Sequence, residues 1–378
     1  MIEIRNRFKQ EGGVSLFLVI FAALLMSIIT ISFIQLMISD QQQATASDLS
    51  QSAYDSAQAG VEDAKRVLLM SQTCGTSTTS VCNRVKTAIN SGDCNTVSLA
   101  LTGASGGGET MVRQSTSDGA ALLQQAYTCV KVTPDTNDYA VPGVRANESV
   151  IVPLKSKNTF DRVKIGWFSS DDVSGAPTVD LPTFAPDLPR VGAQWTSTMP
   201  SMLRAQLMQT GPNFNLSDFD DTGNARTLFL YPTSTGLNQF NYNLDGRQSS
   251  IMSPQLVRCN TSFVVSTYVC TATLLLPNPA GGNAGNRANA FLRLAPLYNN
   301  ASVQVELFSG GTQVKFDGVQ PEIDSTGRAN SMFRRVVTRV ELNADASYPQ
   351  AAVDLNGNLC KNFTITDKVG GYSNSCTP

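Results

Sequence analysis

The side chains with most chemical character are the cysteines, at positions 74, 82, 94, 129, 259, 270, 360 and 376 (Cys74, Cys82, Cys94, Cys129, Cys259, Cys270, Cys360 and Cys376). Their spacing never falls to C-x-x-C, and the chain has no histidine. A serine or cysteine nucleophile therefore has no imidazole base beside it, and a His-ligated metal cannot form. No lysine has a serine three residues before it, which removes the S-x-x-K pattern as well. No catalytic constellation and no cofactor are indicated. An even number of cysteines, all downstream of the apolar run that ends at Ser39, reads instead as disulfides in an oxidising compartment. Many pairings are open; the sequence-near ones, Cys259 with Cys270 across a hairpin and Cys360 with Cys376 at the C-terminal tail, are favoured.

The other polar motifs read as structure. "DSTG" at 324–327 has one residue too many for an aspartic-protease motif and reads as a turn. "TGASGGGET" lacks the lysine of a phosphate-binding loop and reads as a flexible linker. Two acidic stretches offer oxygen ligands that suit calcium, "DFDDTGN" (Asp218, Asp220, Asp221) and "DLNGN" (Asp354), but neither has EF-hand spacing and both are rich in turn formers. They stand as weak calcium candidates and no metal is assigned. A net charge of -2 gives no electrostatic footprint for nucleic acid. The cluster Arg334, Arg335, Arg339 reads as the polar side of a strand.

One further stretch concerns covalent chemistry done to the chain. "EGGVSLFLVIFAAL", from position 11, joins a charged, glycine-ended leader to apolar sequence. From Val14 to Ser39 there are 26 residues without a charge, Pro or Gly, about 39 Å of helix, enough for a hydrocarbon core of roughly 30 Å. A secretory signal has a shorter apolar region with its small-x-small cleavage site directly behind it. Ala44-Thr45-Ala46 comes only after the polar run "SDQQQ", so a discarded signal peptide is the weaker reading. Arg5, Arg7 and Lys9 precede the span, and Asp40, Asp48 and Asp55 follow it. The positive-inside rule then places the first residues in the cytoplasm and everything after residue 40 outside.

The elements that follow must carry that span. Residues 40–70 contain no Pro and one Gly, and Leu49, Ala53, Ala57, Val61, Ala64 and Leu68 recur at spacings of three and four, which predicts one helix from about 14 to 70 with a small-residue face. A short helix is expected near 79–90. From Ala126 onward, alternating runs such as "DRVKIGWF", "MLRAQLM", "RTLFLY", "SFVVSTYVCTATLLL", "AFLRLAPLY", "SVQVELF" and "RVVTRVEL" predict antiparallel sheets packed as a sandwich. The four-proline segment near 174–190 reads as a loop or subdomain junction. The expected class is α+β: a long N-terminal transmembrane and stalk helix, then a disulfide-containing, mainly antiparallel β-sandwich-like head. Its parts are a leader (1–13), the helix (14–70, spanning at 14–39 with a stalk at 40–70), a first part of the head (71–175) and a β-rich part (190–378).

Gly12-Gly13 followed by "VSLFLVIFAALLMSIITISF", with the alanine-rich stalk "SAYDSAQAGVEDAKRVL", resembles the type IV pilin and pseudopilin class of prepilins, in particular minor pilins with a PilX-type N-terminus. The resemblance covers about 60 residues closely and the strand-rich remainder more loosely. It implies cleavage by a membrane-embedded prepilin peptidase between Gly13 and Val14 and methylation of the new terminus. It further implies membrane lipid as the partner before assembly, then a membrane assembly platform and other pilins packed through the N-terminal helix. Most major pilins carry Glu at the fifth mature residue; here that position is Leu18, which implies a tip subunit at the end of an extracellular pilus. The head's ligand is left open. The alternative reading is a surface adhesin or binding protein held by a single, uncleaved membrane anchor.

Overall fold

The structure is a computed structural model and describes residues 12–94, 96–103, 108–112, 124–173, 178–183, 195–210, 225–242, 254–263, 267–282 and 289–341. Residues 1–11 of the leader, Asp218, Asp220, Asp221, Asp354, Cys360, Cys376 and most of the proline-rich segment lie outside the described residues. In chain order the helices are α1 (Gly12–Cys74), α2 (Ser80–Asn90) and α3 (Thr96–Thr102). The strands are β1 (Thr110–Met111), β2 (Ala126–Thr133), β3 (Asp138–Val144), β4 (Val150–Pro153), β5 (Phe160–Ser169), β6 (Met202–Thr210), β7 (Ala225–Thr233), β8 (Gln239–Asn241), β9 (Gln255–Arg258), β10 (Tyr268–Ala280), β11 (Asn289–Leu297), β12 (Ala301–Ser309), β13 (Thr312–Val314), β14 (Glu322–Ala329) and β15 (Met332–Arg339). The class is α+β, with one long apolar N-terminal helix followed by antiparallel-rich sheets and disulfides. Chain contacts divide it into two units that interleave in sequence: residues up to Thr133 with Glu322–Val340, and Pro134–Pro321 with the residues from Glu341. The stretch 71–175 thus contributes to both.

The first unit is α1 packed on an antiparallel sheet of order β1-β2-β14-β15. Ala53, Ser56, Ala57, Val61, Ala64, Val67 and Leu68 form the buried stripe of the helix, while Asp48, Asp55 and Glu62 face water. Spacings of three and four put the stripe on one face. The sheet answers with Ile323, Ser325 and Ala329 of β14 and Ala126, Tyr127, Val130 and Val132 of β2, all buried. Two glycines let the backbones close. A Cβ at Gly60 would stand 2.5 Å from Ser325 Oγ and 2.7 Å from Val130 Cγ2, and one at Gly327 would collide with Ala57 N and Ala53 O. Ser325 Oγ donates to the Ala57 carbonyl at 2.7 Å.

"DSTG", expected as a turn, is therefore the middle of a strand. Asp324 and Thr326 point outward while Ser325 and Gly327 point at the helix, so the small residues serve close packing, which overrides their turn preference. The arginine cluster does not share one side of β15 either. Arg335 pairs with Asp324 at 2.6 Å on the outer face, whereas Arg334 Nε donates to Ser50 Oγ of α1 at 2.7 Å. Phe333 and Val337 share the outer face and are 54% and 51% exposed.

Thr79 caps α2, its Oγ1 accepting from Cys82 N at 3.4 Å, and the helix spans the expected stretch. Cys74 bonds Cys82, holding α2 to the end of α1, and Cys94 bonds Cys129, holding the segment before α3 to β2. Each such staple is worth about 3 kcal/mol in the chain-entropy account.

In the second unit, a six-stranded sheet runs β13-β12-β5-β10-β8 with β3 also on β12, and a five-stranded sheet runs β4-β11-β6-β7-β9. Pairing is antiparallel except for β8 on β10 and β9 on β7. One apolar core draws Ile165, Trp167, Val305 and Leu274 from the first sheet and Leu203, Ala205, Leu230 and Leu292 from the second. The Trp167 indole donates to Ser201 O at 2.9 Å, which satisfies its only polar atom inside the core. Cys259 bonds Cys270 across the connection between β9 and β10.

Two outcomes are expected. Gly327→Ala forces the helix off β14 and should cost about 1–3 kcal/mol of unfolding free energy; Thr326→Ala, on the outer face, should cost under about 0.5, both read by denaturant unfolding in detergent. Burial, with the hydrogen bond that the Tyr127 phenol donates to Asp63 Oδ2, pushes that phenol up to about 12. An unfolded tyrosine ionises near pH 10. The folded state thus holds a proton that the unfolded state has lost, so this contribution is complete below about pH 10 and disappears as pH rises to about 12. Tyr127→Phe should flatten the fall of stability over that window.

Candidate functional site: the uncovered half of the N-terminal helix

Helix α1 has 63 residues, about 95 Å at its ordinary rise. No proline interrupts it and its sheet covers only the outer part, from about Ser50 onward. Inward of that point every described side chain from Leu16 to Asp48 is exposed. Most of the exposed large apolar side chains among the described residues lie between Leu16 and Ile38, with exposures from 45% at Leu25 to 72% at Phe17. At 1.5–3 kcal/mol for each such side chain left in water, the cost runs to roughly tens of kcal/mol. That exceeds the net stability of an ordinary domain, about 5–15 kcal/mol. Water is thus an unfavourable surrounding for this stretch, and an apolar one favourable.

The polar atoms of this stretch are prepared for such surroundings. Ser27 Oγ donates to Ala23 O at 2.8 Å, Thr30 Oγ1 to Met26 O at 3.0 Å and Ser32 Oγ to Ile28 O at 2.9 Å. Each hydroxyl proton is satisfied within the helix, as a hydrocarbon surrounding demands. The helix is long and apolar enough to cross a membrane. It runs through Ala44-Thr45-Ala46 without a break.

Gly13 and Val14 lie in the first turns of α1. Leu18, four residues after Val14 on the same helix, is 65% exposed. Among the described residues no cluster of His, Cys, Asp or Glu is arranged to hold a metal. The described cysteines are all in disulfides. Six of the cysteines singled out in the sequence are thereby accounted for as staples within the two units.

A feature that the sequence reasoning missed is an aromatic cluster on the outer face of the five-stranded sheet. Trp195 stacks on Tyr298 at 4.6 Å and meets Tyr231 edge-on at 5.6 Å, against Met202. Burial raises the phenols of Tyr231 and Tyr298 above the ordinary tyrosine value. No strand alternation announces this cluster, because Trp195 arrives from a loop. Comparison with protein-family models, curated proteins and solved structures gives no match for this chain.

The helix makes a direct prediction. Ile28→Lys places a charge mid-span and should cost about 2.5–3.5 kcal/mol of membrane insertion. Leu69→Lys, at an exposed position of the sheet-covered part, should cost nothing in the same glycosylation-mapped insertion assay. Equal insertion of both variants would remove the span from 14–39.

Proposed function

We propose that this chain is a non-enzymatic minor pilin, an assembly or tip subunit of a type IV pilus or a related filament. The observation that carries the reading is the division of α1. Its outer part is held by its own sheet through a small-residue face, while from Leu16 to Ser39 it presents an uncharged, mainly apolar surface on which none of the described residues of the sheets packs. A subunit stored in the bilayer and then drawn into a bundle of like helices needs both halves. Lipid and neighbouring helices are equally apolar, so transfer between them proceeds with little loss of burial, and packing contacts decide the direction. The sandwich-like head would be carried outside, single-pass, with the N-terminus in the cytoplasm until assembly.

In this reading the prepilin peptidase cuts between Gly13 and Val14. Glycine suits the site because its backbone unwinds readily and permits close approach of the enzyme. Leu18 sets this subunit apart from a shaft pilin. A carboxylate in the bilayer costs about 2.5–3.5 kcal/mol unless paired, so a subunit with no neighbour above it to offer an ammonium does better without one. That supports a place at the tip. The uncleaved membrane-anchored adhesin is the competing assignment, and the fate of the leader separates the two.

Mass spectrometry of protein from sheared surface filaments should find a chain beginning at Val14 with a methylated amine. Recovery of intact Met1–Gly13 on surface protein would overturn the pilin reading in favour of the anchored one. Gold-labelled antibody to the head should mark one filament end; label along the shaft would contradict the tip placement.

A further inference from the structure

We propose that the membrane-facing rim of the first unit's sheet, with Phe333 and Arg334 at its centre, rests on the anionic headgroups of the bilayer that α1 crosses. The inference rests on that crossing and not on the pilin reading, since an uncleaved anchor serves it equally. Helix and sheet together set the height of the rim. Ser325 lies against Ala57 and Gly60, and Gly327 against Ala53 and Ala57, so β14 runs toward the apolar stretch of α1 as it approaches its turn. Arg334, paired with Gly327, reaches Ser50. Ser50 is about 16 Å along the helix from Ser39, and the turn after Ala329 continues toward the bilayer by about 10 Å. That leaves the turn roughly 6 Å beyond the apolar stretch, the depth of a headgroup layer.

The rim carries the side chains of an interfacial anchor. Pairing sets Met111, Ala126, Arg328 and Phe333 in one row across the last rungs of the sheet, and the two outer members, Met111 and Phe333, are exposed. The charges around that row are uneven. Arg328 pairs with Glu109, Arg335 with Asp324 and Arg339 with Glu322. Arg334 is exposed and, among the described residues, has the Ser50 hydroxyl but no carboxylate. Asp40, Asp48 and Asp55 are exposed and lie on the side of α1 away from its sheet. One arginine is thus left over on the side nearest the lipid, with an exposed ring beside it: a cation for a lipid phosphate and an apolar side chain for the interface. The span leaves room for the contact. From Val14 to Ser39 it exceeds a hydrocarbon core by about 9 Å. A helix in such excess tilts, and anchors at the interface set the direction. A tilt toward the sheet lowers this rim onto the headgroups.

The test places the full chain in lipid nanodiscs whose phosphatidylcholine headgroups carry a nitroxide quencher, with and without phosphatidylglycerol, and compares Phe333→Trp with Val337→Trp. The two positions are similarly exposed on one face of β15, but Val337 lies about 13 Å further from the turn. Emission of the native Trp167 and Trp195 is subtracted with the parent chain. With phosphatidylglycerol present, the Phe333→Trp indole should be quenched and the Val337→Trp indole should not. Adding Arg334→Gln to Phe333→Trp should weaken the contact roughly fivefold, and high salt should release it. Quenching at neither position, equal quenching at both, or quenching indifferent to phosphatidylglycerol and to Arg334→Gln overturns the proposal. A chain that does not enter the discs overturns the span as well, so the two failures are told apart.

Discussion

The first unit depends on how closely α1 approaches β14. Where Gly327 lies under Ala53 and Ala57 there is no room for a Cβ, and Ser325 adds a hydrogen bond to a helix carbonyl at the same place. A helix with large side chains would stand several ångströms further off, since ordinary interaxial spacings reflect the residues at the contact. At the observed separation β2 and β14 lie against one narrow stripe, and Tyr127 reaches Asp63. The two disulfides of this unit then fasten α2 and the segment before α3 to elements already in place.

That economy of contact area has a consequence for the rest of α1. A sheet four strands wide clamps the outer turns firmly enough to hold a continuous helix, and the inner turns continue with the same geometry but without any cover. Helical hydrogen bonds satisfy the backbone, and the hydroxyls of Ser27, Thr30 and Ser32 bond back to it, so from Leu16 to Ile38 only the Gln35 amide adds a polar demand. The polar run from Asp40 to Asp48 lies between this apolar stretch and the sheet. The division of labour along one helix is thus between a stretch covered by its own sheet and an apolar stretch left uncovered.

The second unit solves a different problem. Two sheets of antiparallel and parallel pairs share one core, in which the buried Trp167 indole is matched by Ser201 O while the buried Tyr242 hydroxyl has no partner among the described residues. Its outer aromatic cluster is smaller: Trp195, Met202 and Tyr231, buried against the half-buried Phe229, Leu297 and Tyr298.

Much of this was legible in the sequence. The uncharged run from Val14 to Ser39, the small-residue period through Leu68, the short helix near 79–90 and the alternating strands were all legible locally, the periodic ones because a period depends only on the turn angle of a helix or the pleat of a strand. Exclusion of histidine chemistry follows from composition. Pairing partners were another matter. That β14, separated from α1 by more than two hundred residues, belongs on its small-residue face could not be read locally, and "DSTG" looked like a turn because its turn preference is local while its packing role is not. The same holds for Arg334, sent to Ser50 by the register of β15, and for Trp195, Tyr231 and Tyr298, which meet only when β6, β7 and β11 align. Periodicity fixes which face of an element is apolar; only the tertiary structure decides which face it meets, because that choice rests on contacts between residues far apart in the chain.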